Sequence, residues 1–389
     1  MDWPSRYDYE ALSLEVRRIA PCVFHSSPEF ALRESKARGR RFFLNNRRRW
    51  ITVWILVALL LGILIVLRLR HGEFDWNLFT STLAGMKPAW LSLAVFLSII
   101  SYYGRALRWA VLIRHQRSRP NLWGIFSATA IGFSAIFILG RPGELLRPYL
   151  IASKEKLSFS SQLAAWLLER FFDLLTCLLL FAFALFEISS SGVRVGPAFE
   201  RALAVGGYFI AGIGLASIMI LVVLWSSGDW AQKRISAALE TLPGAWGKRL
   251  AELFNSFFIG VEAVRSPSGM LGLVAYTILE WAIIILCFLA LFKSFPALAG
   301  HGLTEVLTLI GLVTLGSLVQ IPGVGGGVQV TSIVVLTEIM HVPLEAATGV
   351  ALIIWLTTFV AIVPLGAVLL LHEGINWSKI KEIGAGGPL

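Results

Sequence analysis

Residues 138–149 carry charged side chains between two apolar stretches of the chain, in the order ILGRPGELLRPY. Arg141 and Arg147 are cations, and Glu144 between them is a carboxylate. An arginine fork matches the geometry of phosphate, and the N–H groups at the start of a helix attract anions. We therefore expect this segment to bind a phosphate group, with Glu144 orienting the two arginines. An internal Arg–Glu pair that closes the segment is a second interpretation, and it is compatible with the first.

A second group of charges lies near the middle of a long apolar run, in the sequence ERFFD. Glu169 and Asp173 share one face of a helix, and Arg170 is spaced to pair with Asp173. Two interpretations stay open. The group is either a structural cluster of ion pairs that links this run to the first segment, or a set of carboxylates that responds to protons or cations.

Glu280 is the one charged side chain within residues 270–292, which form another apolar run. A lone carboxylate at membrane depth is costly unless a different helix supplies a cation. Arg105 and Arg108, near the end of an earlier apolar run, are the partners that we expect. We count both arginines as supporting residues and Glu280 as a candidate for ligand binding.

A third segment, IPGVGGGVQ at residues 321–329, interrupts a later apolar run. Glycine lets the backbone approach a ligand closely, and successive N–H groups can form a nest for an anion. Tight helix packing uses glycine as well, so the position opposite the first segment is what favours a site. The candidate binding residues here are Gly323, Gly325, Gly326, Gly327 and Gln329. The supporting residues that break the helices are Gly140, Pro142, Gly143 and Pro322.

Composition identifies the class of protein. The chain has 389 residues, of which 56% are hydrophobic and 15% are charged, whereas soluble domains carry about 25% charged residues. We predict an all-α polytopic integral membrane protein. The net charge of +10 is explained by Lys and Arg in cytoplasmic loops, so no nucleic-acid partner is expected. The three cysteines show no metal-ligand spacing, and we expect neither a metal nor another cofactor.

Apolar runs and basic loops alternate along the chain and divide it into three regions. We predict a cytosolic N-terminal tail (1–49), a transmembrane domain (50–371) and a cytosolic C-terminal tail (372–389). The domain would contain about six full spans and two re-entrant helical hairpins, in about eight hydrophobic segments. If residues 122–139 crossed the membrane fully, the basic loops after them would lie outside, so the positive-inside rule favours a hairpin there.

The two interrupted segments are related by their spacing. Pro142 and Pro322 are 322 − 142 = 180 residues apart, and the spans before them are separated similarly. Because the first of these spans runs inward and the second outward, we predict an inverted-repeat bundle. In such bundles, broken helices from opposite sides meet near the membrane midplane at the substrate site.

Four motifs, in this order and spacing, resemble those of a known family. They are RALRW at residues 105–109, GRPGELLRPYL at 140–150, ERFFD at 169–173 and IPGVGGGVQ at 321–329. The chain resembles the transmembrane flippase-like domain of lysylphosphatidylglycerol synthases and its stand-alone relatives over residues 50–371. The resemblance implies a bundle with re-entrant helices that moves a lipid or a lipid-linked headgroup between leaflets.

Two departures limit what the resemblance implies. Many relatives have Glu after the glycine segment where this chain has Gln329, so a carboxylate role is not carried over to this position. The fused synthases also carry an aminoacyl-transferase domain, whereas only a short tail follows Leu371. We therefore expect no lysyl transfer and classify the chain as a non-enzyme.

We expect a membrane lipid transporter whose partner is a membrane phospholipid or a polyprenyl-linked lipid. Arg141 and Arg147 would bind the phosphate, while Glu144, Glu169 and Asp173 would orient those cations or bind a cationic headgroup. Two rocking halves would move the lipid. Two other classes stay open: a membrane enzyme that acts on lipid-linked substrates, and a non-transporting accessory subunit of envelope assembly.

The expected location is the bacterial cytoplasmic membrane, with several spans and both termini in the cytoplasm. The stretch from Lys36 to Arg49 is basic and contains no acidic residue. Such a run beside a membrane span is expected to attract anionic lipid headgroups, and the alternative is that it acts as a topology signal only. The sequence leaves a homo-oligomer open.

Overall fold

The structure is a computed structural model that describes residues 74–190, 197–226, 229–241, 245–317, 320–321 and 325–373. The predicted N-terminal tail, the first predicted span (50–67), most of the C-terminal tail, Pro322 and Gly323 lie outside these residues. The helices described below all belong to one unit that begins at Asp75.

Helices form nearly all of the described structure. The first half comprises α1 (Trp76–Ala84), α2 (Pro88–Ile113), α3 (Leu122–Leu139), a 3₁₀ turn (Arg141–Leu145), α4 (Leu146–Glu155), α5 (Phe159–Ser190) and α6 (Pro197–Ser226). Two helices, α7 (Asp229–Glu240) and α8 (Ala245–Arg265), then follow. The second half comprises α9 (Pro267–Ser294), a 3₁₀ turn (Pro296–Leu298), α10 (Leu303–Gly316), β1 (Gln320–Ile321), β2 (Gly325–Gly326), α11 (Gly327–Glu338), α12 (Leu344–Trp355), a π-helical turn (Leu356–Val360) and α13 (Ile362–His372).

Within the described ranges, five helical segments are long and apolar enough to cross a membrane. They are α2, α3, α5, α9 and the stretch Leu344–His372, which comprises α12, the π turn and α13. Shorter apolar helices lie at Ala204–Met219, Leu303–Thr314 and Gly327–Glu338. The predicted all-α polytopic architecture is confirmed, and the apolar runs at residues 88–113 and 122–139, which hydropathy predicts as helical segments, are α2 and α3.

Helices α3 and α4 are joined by a tight turn. Gly140 has a φ of 70°, a left-handed conformation that glycine adopts at little cost. Gly143 lies against the backbone of α3, where an added Cβ atom would come within 2.6 Å of the Ala135 carbonyl carbon. Glu144 therefore lies in the 3₁₀ turn, and α4 itself begins at Leu146. The glycine and proline of this segment interrupt the helix, as the sequence predicts.

Helix α4 runs back along α3. Near its end, Lys154 donates a hydrogen bond to the carbonyl oxygen of Gly124 at 3.3 Å. The backbone N–H of Asn121 donates to the Glu155 carboxylate at 3.1 Å. The end of α4 thus lies beside the start of α3, which is the geometry of a re-entrant hairpin and places Lys154 at the level of the basic loop before α3.

Helices α10 and α11 form the second hairpin. Its interruption contains a short antiparallel ladder that the sequence did not predict, in which Gln320 pairs with Gly326 and Ile321 with Gly325. The end of α10 also meets the start of α11, because an added Cβ atom at Gly316 would lie 2.5 Å from the Gly327 carbonyl oxygen. The chain therefore folds back on itself at this break as well.

The two halves pack against each other reciprocally. Helices α2 and α9 are antiparallel, since the Lys87 N–H donates to the Ser294 carbonyl at one end and Gly272 meets Val111 at the other. Helix α3 of the first hairpin packs against α13, and α10 of the second hairpin packs against α5. In this arrangement α3 of the first half corresponds to α10 of the second, and α5 corresponds to the span that ends with α13. The α3–α13 contact and the α10–α5 contact are therefore equivalent. This equivalence is what an inverted repeat predicts.

Each half has a buried apolar core that includes residues of the other half. One core is formed mainly by α9 to α12 and contains Ala94 of α2 and Phe181 of α5. The other is formed by α2 to α5 and contains Leu273 of α9 and Ile362 of α13. Burial of apolar side chains thus fastens the two halves to each other.

The apolar run at residues 344–371 predicts one membrane span, and in the structure this span contains a π-helical turn at Leu356–Val360. Pro364 has no N–H to donate to the carbonyl of Val360, and its ring crowds that carbonyl. One turn earlier, the N–H of Ala361 donates to the carbonyl of Leu356, five residues before it, at 2.9 Å. Pro364 therefore accounts for a local widening of the helix.

Candidate functional site

Charged side chains from both halves meet in one network, here called the arginine cluster. In the described part of the chain, its members are Arg105 and Arg108 on α2, Arg147 on α4, Glu169, Arg170 and Asp173 on α5, and Glu280 on α9. Every member was a candidate from the sequence, with the two α2 arginines in a supporting role. Three of the four helices that carry them, α2, α5 and α9, are apolar and long enough to cross a membrane, so the cluster concentrates charge among such segments.

Glu169 is the centre of the cluster. One of its oxygens, Oε1, lies 2.8 Å from Arg108, 2.9 Å from Arg147 and 3.0 Å from Arg170. The side chain is fully buried, roughly 15 Å along α5 from Phe159. A buried carboxylate is stable only when cations and hydrogen bonds surround it. The ERFFD sequence predicts that Glu169 or Asp173 pairs with Arg170 or with an arginine of the first hairpin, and the structure contains both kinds of pair.

Arg108 joins α2 to both α5 and α9. Its Nη1 and Nη2 atoms lie 2.7 Å and 3.3 Å from the two carboxylate oxygens of Asp173. Nη1 also lies 3.3 Å from Glu280 and 3.4 Å from the hydroxyl of Thr277. The planar fork of arginine makes this two-point contact with one carboxylate possible. Arg108 is fully buried, so it acts as a structural link between the three helices.

Glu280 pairs with Arg105 and Arg108, the two partners that the sequence analysis predicts for it. Its Oε1 accepts a hydrogen bond from Nε of Arg105 at 2.7 Å, and its Oε2 faces Arg108. The guanidinium carbon of Arg105 lies 5.0 Å from the ring centre of Tyr102 and 4.8 Å from that of Phe133. The Arg105 side chain is 18% exposed.

Arg147 anchors the first hairpin. Its Nε donates to Thr129 at 3.2 Å, its Nη1 to Glu169 at 2.9 Å and its Nη2 to the carbonyl of Arg105 at 3.3 Å. Its guanidinium also lies 4.2 Å above the ring of Trp109, a cation–π contact. The side chain is buried and each of its nitrogen atoms already has a partner. A phosphate can reach Arg147 only after one of these contacts is released.

Arg170 is the most exposed arginine of the cluster, at 32% of its side chain. Its Nη2 pairs with Glu169 at 3.0 Å and with Asp173 at 3.1 Å. Its Nε has no acceptor among the residues that the structure describes, but this atom is itself buried. A further anion could therefore contact only the exposed part of the Arg170 guanidinium.

The charges of the cluster do not cancel. Among its described members, four arginines contribute +4 and three carboxylates contribute −3, which leaves a net charge of +1. Glu144 at the tip of the first hairpin is half-buried and near enough for its charge to act on Arg170. An anionic ligand would therefore share Arg170 with this carboxylate.

Two residues of the first tip are described only in part. Arg141 and Pro142 lie in the 3₁₀ turn, and their side chains are outside the described part of the structure. Gly140 and Gly143 form the turn itself. The contact that we predicted between Arg141 and a ligand therefore stays a prediction.

The side-chain amide of Gln329 binds a backbone N–H of the glycine segment. Gly325 and Gly326 have φ values of 98° and 129°, which only glycine adopts readily. The N–H of Gly326 donates to Oε1 of Gln329 at 2.6 Å, at the start of α11, which Gly327 opens. One donor of the predicted anion nest is thus used internally, and Gly323 lies outside the described residues.

The second hairpin reaches the same helix as the cluster. Helix α10 packs along α5, the helix that carries Glu169, Arg170 and Asp173. Gly311 packs against the backbone of Leu180, which lets the two helices approach closely. Both hairpins therefore pack on α5, as the predicted meeting of two broken helices requires.

Side chains that surround the arginines were not identified from the sequence. Tyr102 precedes Arg105 by one turn, so helical spacing could have indicated it. Thr129, Phe133 and Trp109 contact Arg147 only because the hairpin folds back, and no local pattern signals that. In the described part of the chain, no group of three or more His, Cys, Asp or Glu side chains is placed to hold a metal ion.

The comparison with known families agrees with the motifs and the geometry. The lysylphosphatidylglycerol synthase transmembrane region matches residues 53–366 of the chain. No curated protein and no solved structure matches it. The matched residues include the whole arginine cluster and both hairpins. Because the match spans most of the sequence, this multi-pass membrane protein belongs to the family of the lysylphosphatidylglycerol synthase transmembrane region.

Proposed function

We propose that this protein moves a phosphate-bearing lipid, a phospholipid or a polyprenyl-linked lipid, between the leaflets of the bacterial cytoplasmic membrane. The observation that carries the proposal is the excess of arginine in the described cluster, where four guanidinium groups face three carboxylates. Charge at membrane depth is costly and is retained where it serves a function. A phosphate would balance the cluster while the lipid chains stay in the hydrocarbon.

The accessible arginines would bind the phosphate, and the buried arginines would have a structural role. Arg170 and Arg105 are the most exposed arginines of the described cluster, at 32% and 18% of their side chains, so they would contact the phosphate. Arg108 and Arg147 are buried in ion pairs and would hold the helices in place. Arg141, at the tip of the first hairpin, would be a third contact with the headgroup.

The reciprocal packing of the two halves favours movement by rocking. The cluster joins α2, α4 and α5 of the first half to α9 of the second half, so a rotation of one half against the other would change its exposure. The lipid would cross without a chemical change. Both termini would lie in the cytoplasm, with the basic residues from Lys36 to Arg49 held against anionic headgroups.

Reconstitution into vesicles tests this function. The purified protein would be mixed with headgroup-labelled lipids, including phosphate-bearing lipids and a neutral glycolipid with the same acyl chains. The fraction of label in each leaflet would be followed with a quencher that does not cross the membrane. Movement of the phosphate-bearing lipids faster than in protein-free vesicles is the expected result. Equal rates for the neutral glycolipid would exclude phosphate recognition.

A further inference from the structure

Tyr102 contacts both the arginine cluster and the π turn of the last span. Its ring faces the guanidinium of Arg105, 5.0 Å away, and its hydroxyl donates to the carbonyl oxygen of Thr358 at 2.9 Å. The side chain is almost fully buried, at 3% exposure. One residue thus contacts both an arginine of the proposed site and the backbone of a different helix.

The π turn makes backbone carbonyls available to α2. In a regular helix the carbonyl of Thr357 would accept from the N–H of Ala361, but that N–H donates to Leu356. The hydroxyl of Ser98 supplies the replacement at 2.8 Å, and Tyr102 binds the next carbonyl along the chain. The hydroxyl groups of Ser98 and Tyr102, which are four residues apart on α2, therefore bind α2 to the π turn.

We propose that Tyr102 is a positioning residue that holds Arg105 ready for the lipid phosphate. The substrate in this proposal rests on the proposed function, which it deepens. A cation–π contact requires that the face of the ring, and not its edge, points at the cation. The hydrogen bond to Thr358 fixes the ring in this orientation. Nε of Arg105 is taken by Glu280, so the ring orients the remaining edge of the guanidinium, the two Nη atoms. Because π turns are places where helices bend, a bend in the last span would move Tyr102 and Arg105 together.

A pair of variants separates positioning from general stability. Tyr102→Phe keeps the ring and removes the bond to Thr358, while Ser98→Ala removes the neighbouring bond to the same turn and affects no described arginine contact. We expect Tyr102→Phe to weaken the apparent affinity for a phosphate-bearing lipid about fivefold, the effect of one hydrogen bond. Affinity would be read from transport rate against lipid fraction. An equal change in Ser98→Ala would overturn the proposal.

A double-mutant cycle tests whether Tyr102 acts through Arg105. In an Arg105→Lys background, the affinity change caused by Tyr102→Phe should disappear, because the group that it positions is no longer a planar fork. An unchanged fivefold effect in that background would refute the positioning role. Pro364→Ala, which restores an N–H to the last span, provides a second route if Tyr102→Phe does not fold. It should reproduce the affinity change, and normal affinity in this variant would count against the proposal.

The same cycle can be measured without transport. Unfolding midpoints of the four proteins in detergent show whether Tyr102 and Arg105 are coupled in the folded state. If the wild type moves no lipid, the proposed function fails, and non-additive midpoints would still support positioning. Additive midpoints together with additive transport effects would overturn the positioning role while leaving lipid movement intact.

Discussion

The guanidinium of Arg108 and the carboxylate of Glu169 lie 2.8 Å apart, and neither side chain is exposed. Removing one partner of such a pair leaves a buried charge unbalanced, which typically costs about 3–5 kcal/mol. We expect Glu169→Gln to lower the free energy of unfolding by this amount, because Glu169 faces three arginines. Unfolding in detergent, followed by intrinsic tryptophan fluorescence, measures the loss.

The chain provides a matched control for this substitution. Glu262 pairs with His115 at 3.2 Å, but 45% and 52% of these side chains are exposed. Exposed pairs contribute about 0–1 kcal/mol, so Glu262→Gln should change stability little. Similar losses in the two variants would mean that the buried network does not stabilise the fold.

Asp173→Asn should cost less stability than Glu169→Gln and should also reduce transport. Asp173 contacts Arg108 and Arg170, but 15% of its side chain is exposed, so water can replace part of what it loses. The two effects are measured on one preparation, by unfolding in detergent and by lipid movement in vesicles. Full stability with lost transport would identify Asp173 as a ligand-binding group without a structural role.

The first hairpin predicts which residues share a side of the membrane. Exposed Ser118 and Ser153 flank α3 and α4, and Glu155 beside Ser153 pairs with Arg117 at 3.4 Å. In a background without native cysteines, a thiol reagent that does not cross the membrane should reach Ser118→Cys and Ser153→Cys from the same side of the membrane. Ser190→Cys, at the far end of α5, should be labelled from the other side. Labelling of positions 118 and 153 from opposite sides would mean that residues 122–139 cross fully.

Close contact between α3 and α4 predicts an unusual response to alanine. Gly132 faces Arg147, and an added Cβ atom would lie 2.6 Å from the Arg147 Cβ. Gly→Ala in a helix normally stabilises by up to about 1 kcal/mol, but Gly132→Ala should lower the unfolding midpoint because it pushes the hairpin open. At Gly212 on α6, an added Cβ meets no described atom within 4 Å, so Gly212→Ala should raise the midpoint or leave it unchanged. A rise in both variants would contradict the tight hairpin.

The sequence could predict the features that depend on local pattern or on elementary electrostatics. Hydropathy located α2 and α3 because their apolar runs end at Pro, Asn and Gly residues that favour helix ends. The cost of burying Glu280 alone predicted that an arginine of α2 would pair with it, and the structure confirms this. The glycines and prolines of the two breaks likewise predicted where the chain would turn back.

Features that depend on contacts between distant residues could not be predicted in this way. Trp109 and Thr129 contact Arg147 only after α4 folds along α3. Pro364 indicates a disturbed helix, but whether a proline produces a kink or a π turn depends on which neighbours can bind the displaced carbonyls. Gln329 resembled a ligand-binding side chain, whereas in the structure it accepts a hydrogen bond from Gly326 of its own hairpin.

We propose that arginine forks in and beside the cluster bind the lipid phosphate during movement between leaflets. Leaflet exchange of a phosphate-bearing lipid in vesicles tests it most directly, with wild type, Arg170→Lys, the double variant Arg105→Lys with Arg141→Lys, and Arg119→Lys in an exposed loop as control. Lysine keeps the charge and loses the fork, so we expect Arg170→Lys and the double variant to fold and to exchange lipid at least about tenfold more slowly. Arg119→Lys should match the wild type. Wild-type exchange by both Arg170→Lys and the double variant would contradict the account.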